Sequence, residues 1–138
     1  MKGAGIALII LALVIGIVPM FTHCEPAGPT VPLQSGAMTF MKCHWTARAE
    51  SAVALPLAAA GIAMIISKRR ESHRVLAITA GVLGLAAILL PTYLIGVCSS
   101  PNMICNMVMR PMLILGGVVT AVASLAVMVR SQGPELAV

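Results

Sequence analysis

Residues 3–20 read "GAGIALIILALVIGIVPM" and contain no charged side chain. A helix needs about 20 consecutive apolar residues to cross the hydrocarbon of a bilayer, so this stretch predicts a membrane-spanning helix. Three further apolar stretches of similar length follow it in the chain. We predict spans over residues 3–20, 51–67, 75–97 and 112–129, with outer loops over residues 21–50 and 98–111.

The composition of the 138-residue chain also indicates a membrane protein. Apolar types make up 59% of the residues and charged types only 9%, whereas a water-soluble domain carries about 25% charged residues. So few charges cannot cover a soluble globule, but a lipid-facing surface needs none. We therefore predict an all-α membrane protein with a single domain over residues 1–138. Its four transmembrane helices form a bundle of two similar helical hairpins with disulfide-stabilised outer loops.

The basic residues predict the orientation of the chain. The stretch "SKRRESHR", residues 67–74, holds four Lys and Arg side chains, and Lys2 and Arg130 lie near the two ends. Because cytoplasmic loops carry an excess of Lys and Arg, we expect a plasma-membrane protein with both termini in the cytoplasm. His73 is expected to be solvated, and its loop to contact anionic headgroups. This clustering beside the spans argues against nucleic-acid binding, despite a net charge of +5.

All four cysteines lie in the predicted outer loops, where a short motif occurs twice. "MKCHWTAR" and "MICNMVMR" both contain Met-x-Cys with an Arg five positions after the Cys. The motif predicts two repeated hairpins related by an axis along the membrane normal. An even number of outward cysteines indicates two disulfides, and the repeat favours one bridge within each hairpin. The four residues are Cys24, Cys43, Cys98 and Cys105, and the favoured pairs are Cys24–Cys43 and Cys98–Cys105.

A metal site is the alternative interpretation of these loops. His23, Cys24, Cys43 and His44 form two mirrored His/Cys pairs, whose ligand types suit copper or zinc. Their spacing matches no standard zinc finger. Seven outer methionines add soft thioether donors: Met20, Met38, Met41, Met103, Met107, Met109 and Met112. The alternative function is therefore the binding or handling of a soft metal.

A third interpretation is membrane thiol–disulfide exchange. Reactive dithiols usually occur in a tight Cys-x-x-Cys motif, but the closest pair here is Cys98 and Cys105, with six residues between them. The pattern favours this function least of the three. The predicted spans contain no charge, whereas ion and proton carriers usually bury one, so a self-sufficient transporter is disfavoured.

The stretch "MTFMKCHWTARAE", residues 38–50, carries the candidate partner-binding residues His44, Trp45, Arg48 and Glu50. Tryptophan is enriched in the hot spots of protein interfaces, and the Gly- and Ala-rich spans allow close helix contact. We therefore predict a recognition element for another membrane protein. No residue in the chain is predicted to be catalytic, and no cofactor is expected outside the metal alternative.

The whole chain resembles a family of small four-span prokaryotic membrane proteins of unknown function. The resemblance lies in "MKCHWTARAE" after a Cys at the end of the first span, and in "IGVC" followed by "NMIC". Members look like neighbours of ABC-transporter components of the macrolide-exporter type, which implies an accessory role. The function predicted first is therefore a non-catalytic accessory subunit of a membrane complex. Its expected partners are the lipid bilayer and an ABC-transporter permease.

Overall fold

The computed structural model describes residues 2–22, 30–32, 34–36, 38–40, 42–98 and 101–131. The elements are α1 (Lys2–Thr22), β1 (Thr30–Pro32), β2 (Met38–Phe40), α2 (Lys42–Ile66), α3 (Arg70–Leu89), the π-helix π1 (Leu90–Leu94), the π-helix π2 (Cys105–Met109) and α4 (Arg110–Ser131). Within these residues, four helical segments are long and apolar enough to cross a membrane. The prediction of a multi-pass helical membrane protein in contact with lipid is confirmed at this level.

The four helices pack chiefly as two hairpins, α1 with α2 and α3 with α4. Glycines let the two backbones of each hairpin approach closely. A Cβ added to Gly61 would lie 2.9 Å from the carbonyl oxygen of Gly5, and one added to Gly117 would lie 2.7 Å from that of Gly84. Small residues at such crossings are typical of membrane helices, whose association depends on close packing.

A short antiparallel sheet, which the sequence did not predict, lies between α1 and α2. Thr30 pairs with Phe40, and Pro32 pairs with Met38. Gly36 lies in the connecting turn with a φ of 80°, a left-handed conformation that glycine adopts without steric cost. Strands of three residues are too short to show the alternating pattern by which strands are recognised in a sequence.

The helices differ in extent from the predicted spans. α2 begins at Lys42 rather than at residue 51, so the end of the predicted outer loop 21–50 is helical. Helix formation depends on local propensity, which Ala, Arg, Lys and Glu all favour, whereas the prediction followed apolar content alone. Glu50 consequently lies inside a helix that is apolar enough to span the membrane. The predicted span, which begins at residue 51, excluded this carboxyl group by one position.

His73 is buried and not solvated, with only 5% of its surface exposed. α3 begins at Arg70, within the predicted loop 67–74, so His73 already belongs to the first turn of the helix. Its position falls on the face that also buries Ala77, Ala80 and Gly84. These residues follow His73 by four, seven and eleven positions, spacings that define one side of an α-helix.

Candidate functional site

Three cysteines converge at the end of the bundle opposite the α2–α3 connection. Cys43 lies in the first turn of α2, Cys98 follows π1, and Cys105 is the first residue of π2. Their Sγ atoms all lie within 4.8 Å of one another. The packing of the two hairpins therefore brings together sulfurs that lie far apart in the sequence.

The three sulfurs are in two different oxidation states. Cys43 and Cys98 are free thiols, and the Cys98 thiol donates to the Cys43 sulfur at 3.5 Å. Cys105 is disulfide-bonded. The repeat favoured the bridges Cys24–Cys43 and Cys98–Cys105, but in the structure Cys43 and Cys98 are both free and lie against each other. They meet across the two hairpins because the loop after π1 is hydrogen-bonded to α2.

Backbone groups and one threonine form the hydrogen bonds that position the loop after π1 against α2. Two successive amides, the second of them that of Gly96, donate to the Leu90 carbonyl and end π1. Gly96 then turns the chain with a φ of 77°. The Thr46 hydroxyl donates to the Gly96 carbonyl at 2.8 Å, one helical turn after Cys43. These contacts hold residues 95–98, which we call the Cys98 loop, over the first turns of α2.

Burial lowers the reactivity of the Cys98 thiol. Cys43 and Cys105 are fully buried, whereas Cys98 is only partly buried. Desolvation, together with the hydrogen bond to Cys43, raises the pKa of the Cys98 thiol. Because the thiolate is the nucleophile in exchange reactions, this thiol is protected at neutral pH and becomes more reactive as the pH rises.

A cavity of about 310 Å³ lies beside the first turns of α2. Its lining includes Met20, His44 and Arg48. The His44 ring packs edge-on against Trp45, with the centroids 6.3 Å apart and the planes at 82°. The cavity lies on the same turns of α2 as Cys43, although Cys43 itself is buried and does not belong to its lining.

The predicted metal-ligand set is only partly visible. His23 and Cys24 lie outside the described residues. Cys43 is buried in the bundle, whereas its neighbour His44 lines the cavity. Among the described residues, the group of ligand atoms close enough to hold an ion is Cys43, Cys98 and Cys105. In its disulfide-bonded form, however, Cys105 offers no thiolate.

The predicted partner-binding residues fall on different faces of α2. Trp45 is 54% exposed and Arg48 is also exposed. Glu50 is fully buried, and neither of its carboxylate oxygens has a hydrogen-bond partner among the described residues. It belongs to the face that buries Cys43 and Ala54, so the structure separates it from the exposed pair. The sequence signal for this position is the 3.6-residue helical period. When that period is continued upstream of residue 51, it places Glu50 on the buried face.

Thr46 and Gly96 are the two positioning residues that the sequence analysis missed. Thr46 lies within "MKCHWTARAE", between Cys43 and Glu50 on the buried face of α2. Gly96 lies in "IGVC", two positions before Cys98. Their contact joins two motifs that carried the family resemblance, but no local pattern indicates a bond between residues this far apart in the chain.

One family model covers the part of the chain that contains this site. A family model described as "Domain of unknown function (DUF4418)" matches residues 5–129, a range that contains Cys43, Cys98 and Cys105. No curated protein and no solved structure matches the chain significantly.

Proposed function

The chain belongs to the family described as "Domain of unknown function (DUF4418)", and from its sulfur geometry we propose that it is an integral membrane thiol–disulfide exchange protein. The proposal is carried by one observation. Two free thiols and one disulfide-bonded sulfur have their Sγ atoms within 4.8 Å of one another. Thiol–disulfide exchange proceeds by attack of a thiolate on a neighbouring disulfide sulfur, and this arrangement supplies both reactants.

The internal exchange is balanced without an added oxidant. The Cys98 thiolate attacks the Cys105 sulfur, so a Cys98–Cys105 bond forms while the bond from Cys105 to its former partner breaks. The released sulfur takes up the proton lost by Cys98. Cys43 then attacks Cys98, which forms the Cys43–Cys98 disulfide and releases Cys105 as a thiol. The dithiol has lost two electrons and two protons, and the former disulfide has gained them.

Turnover repeats the same chemistry with a second protein. A dithiol of that protein reduces the Cys43–Cys98 disulfide and leaves as a disulfide, and a disulfide from outside the chain reoxidises the pair that contains Cys105, which restores the starting state of both pairs. Cys98 is the sulfur of this pair that is partly exposed, so it is the one that an incoming sulfur reaches first. The cavity lined by His44 and Arg48 provides space for the partner segment.

We infer that Cys24 is the disulfide partner of Cys105. The chain has four cysteines, of which Cys43 and Cys98 are free. Furthermore, α1 packs against π2, and residue 24 follows the end of α1 at Thr22 by only two positions. Alkylation of the full-length chain without reduction, followed by peptide mapping, should yield one linked peptide pair carrying these two residues. A link between Cys105 residues of two chains would contradict the assignment.

The exchange itself is tested with the full-length chain in detergent. The chain is equilibrated in glutathione buffers of graded potential, trapped by alkylation and mapped by mass spectrometry. In the Cys43→Ser variant the second attack is blocked, so the Cys98–Cys105 bond should accumulate. The Cys98→Ser variant is the matched control and should accumulate no such bond. If Cys43→Ser traps no Cys98–Cys105 species and the native pair never forms a disulfide, the proposal fails.

Soft-metal binding is a second candidate, favoured by the same proximity of three sulfurs. Once Cys105 is reduced, three thiolates are close enough to hold Cu(I) or zinc. An anaerobic Cu(I) titration of the reduced chain should then give one bound ion per chain, and Cys43→Ser should abolish this binding. No stoichiometric uptake by the reduced wild-type chain would exclude the metal function.

The accessory-subunit function remains a proposal with different support. Trp45 and Arg48 are exposed on α2, which suits a partner-facing surface. An ABC-transporter permease as that partner rests on the family resemblance alone. In this function the sulfurs are purely structural, so the redox experiment discriminates: a thiol pair that does not exchange favours the accessory role.

A further inference from the structure

The opposite end of the bundle holds a basic cavity that the sulfur chemistry does not use. It has a volume of about 510 Å³ and lies where the start of α1, the end of α2 and the start of α3 meet. The cationic residues in its lining are Lys2, Lys68 and Arg70. Three elements thus contribute to one site, although no motif in the sequence joins them.

A buried imidazole in the lining has one nitrogen without a hydrogen-bond partner among the described residues. His73 lines the cavity and is only 5% exposed. Its Nδ1 atom is buried and has no hydrogen-bond partner among the described residues. Leaving a buried polar atom unpaired is unfavourable, so a group from outside the chain would stabilise this arrangement.

The start of α3 adds a second preference for an anion. The first amides of a helix have no partner within the helix and carry a partial positive charge. Arg69, which precedes α3, provides no side-chain cap for them. Glu71 is the acidic residue of this first turn, but it is exposed and does not belong to the cavity lining.

We propose that this cavity binds the phosphate group of an anionic lipid. Besides its cations, the lining includes the apolar side chains of Met64, Ile65 and Ile66, which suit the glycerol and acyl region of a lipid rather than a free ion. The cavity also lies at the ends of helices that are long enough to span the bilayer. Basic pockets between membrane helices at this level are sites for anionic headgroups.

The test uses the full-length chain in a zwitterionic detergent and native mass spectrometry. Phosphatidylglycerol and phosphatidylcholine are titrated separately, and inorganic phosphate is added as a competitor. We expect one phosphatidylglycerol to bind at least about fivefold more tightly than phosphatidylcholine, the scale of one basic contact near a headgroup. Arg70→Gln and Lys68→Gln should each remove most of this preference.

Arg74→Gln is the matched control, because Arg74 is an exposed cation of the same helix that does not line the cavity. This variant should retain the preference, and an equal loss would show diffuse attraction and overturn the site. His73→Ala should weaken binding, whereas His73→Asn, which keeps an N–H donor, should restore it. Saturable binding of inorganic phosphate that displaces the lipid would reassign the site to a free anion. Equal affinity for both lipids would overturn the proposal.

Discussion

At the scale of single residues, the environment of Cys98 decides how the sulfur site behaves. Burial and the hydrogen bond with Cys43 both favour the neutral thiol. A thiol in this setting is a poor nucleophile at rest, unlike the activated cysteines that lie beside cations or helix N-termini. Cys98 is therefore a protected thiol that reacts when a partner sulfur is delivered to it.

The raised pKa of Cys98 predicts a specific pH profile. The alkylation rate at Cys98 should keep rising with pH beyond the range in which the rate at an ordinary cysteine levels off, above about pH 8.5. Folding raises this pKa, so the protonated Cys98 thiol stabilises the folded chain. This contribution is fully present below the pKa of the unfolded chain and is lost as the pH rises through the folded-state pKa. Peptide-resolved mass spectrometry after timed iodoacetamide pulses measures the rate. The unfolded chain is the reference, and identical profiles would contradict the prediction.

Thr46 predicts a second effect at the residue scale. Thr46→Val keeps the shape of the side chain but removes the hydrogen bond to the Gly96 carbonyl, a loss of about 1 kcal/mol. The Cys98 loop should then sample open positions more often. Formation of the Cys43–Cys98 disulfide under a fixed oxidant should become about fivefold slower.

Thr79→Val is the matched control for this substitution. The Thr79 hydroxyl is exposed and donates to the Val75 carbonyl of its own helix, at 3.0 Å. Its removal should leave the oxidation rate at the sulfur site unchanged. Equal rates in wild type and Thr46→Val would show that Thr46 does not position Cys98.

At the scale of elements, some features of the helices were predictable and others were not. The apolar runs predict the four helices because the bilayer requires continuous apolar length. The criterion of continuous apolar length misses the first turns of α2, because Lys42, Arg48 and Glu50 interrupt the apolar sequence there. The contact between Cys43 and Cys98 depends on how two hairpins dock, and that packing leaves no local pattern. A repeated cysteine motif thus indicates a site but not its pairing.

The glycine crossings give a prediction at this scale. A Cβ on Gly117 would lie 2.5 Å from Ile88 Cγ1 and 2.7 Å from the Gly84 carbonyl oxygen. Gly117→Ala must therefore push α3 and α4 apart, at a cost of about 1–3 kcal/mol, offset by up to about 1 kcal/mol of helix propensity. Thermal unfolding in detergent should show a net loss of stability.

Gly3→Ala is the control that separates the effect of close helix packing on stability from the effect of helix propensity. A Cβ at Gly3 meets no atom within 4 Å, although Gly3 also lies in a helix. This variant should be as stable as wild type or slightly more so. If both alanine variants gain stability, close packing at Gly117 does not hold the second hairpin together.

At the scale of the whole molecule, the two ends of the bundle carry different chemistry. The sulfur cluster and the cavity at His44 lie at one end, and the cavity with Lys2, Lys68 and Arg70 lies at the other. Disulfides form in oxidising compartments outside the cytoplasm, and basic residues favour the cytoplasmic side. Both arguments assign the same orientation, although they rest on different residues.

That agreement gives the orientation prediction. In a Cys98→Ser background, Asn102→Cys and Lys68→Cys place exposed thiols at the sulfur end and the basic end. A membrane-impermeant maleimide should label Asn102→Cys in intact cells, and Lys68→Cys only after permeabilisation. The chain with the Cys98→Ser substitution alone is the control, because it measures how much maleimide the remaining native cysteines take up. The reverse pattern would put the sulfur cluster in the reducing cytoplasm, where a resting disulfide at Cys105 is disfavoured. It would thus contradict both the orientation and the exchange with an outer protein dithiol.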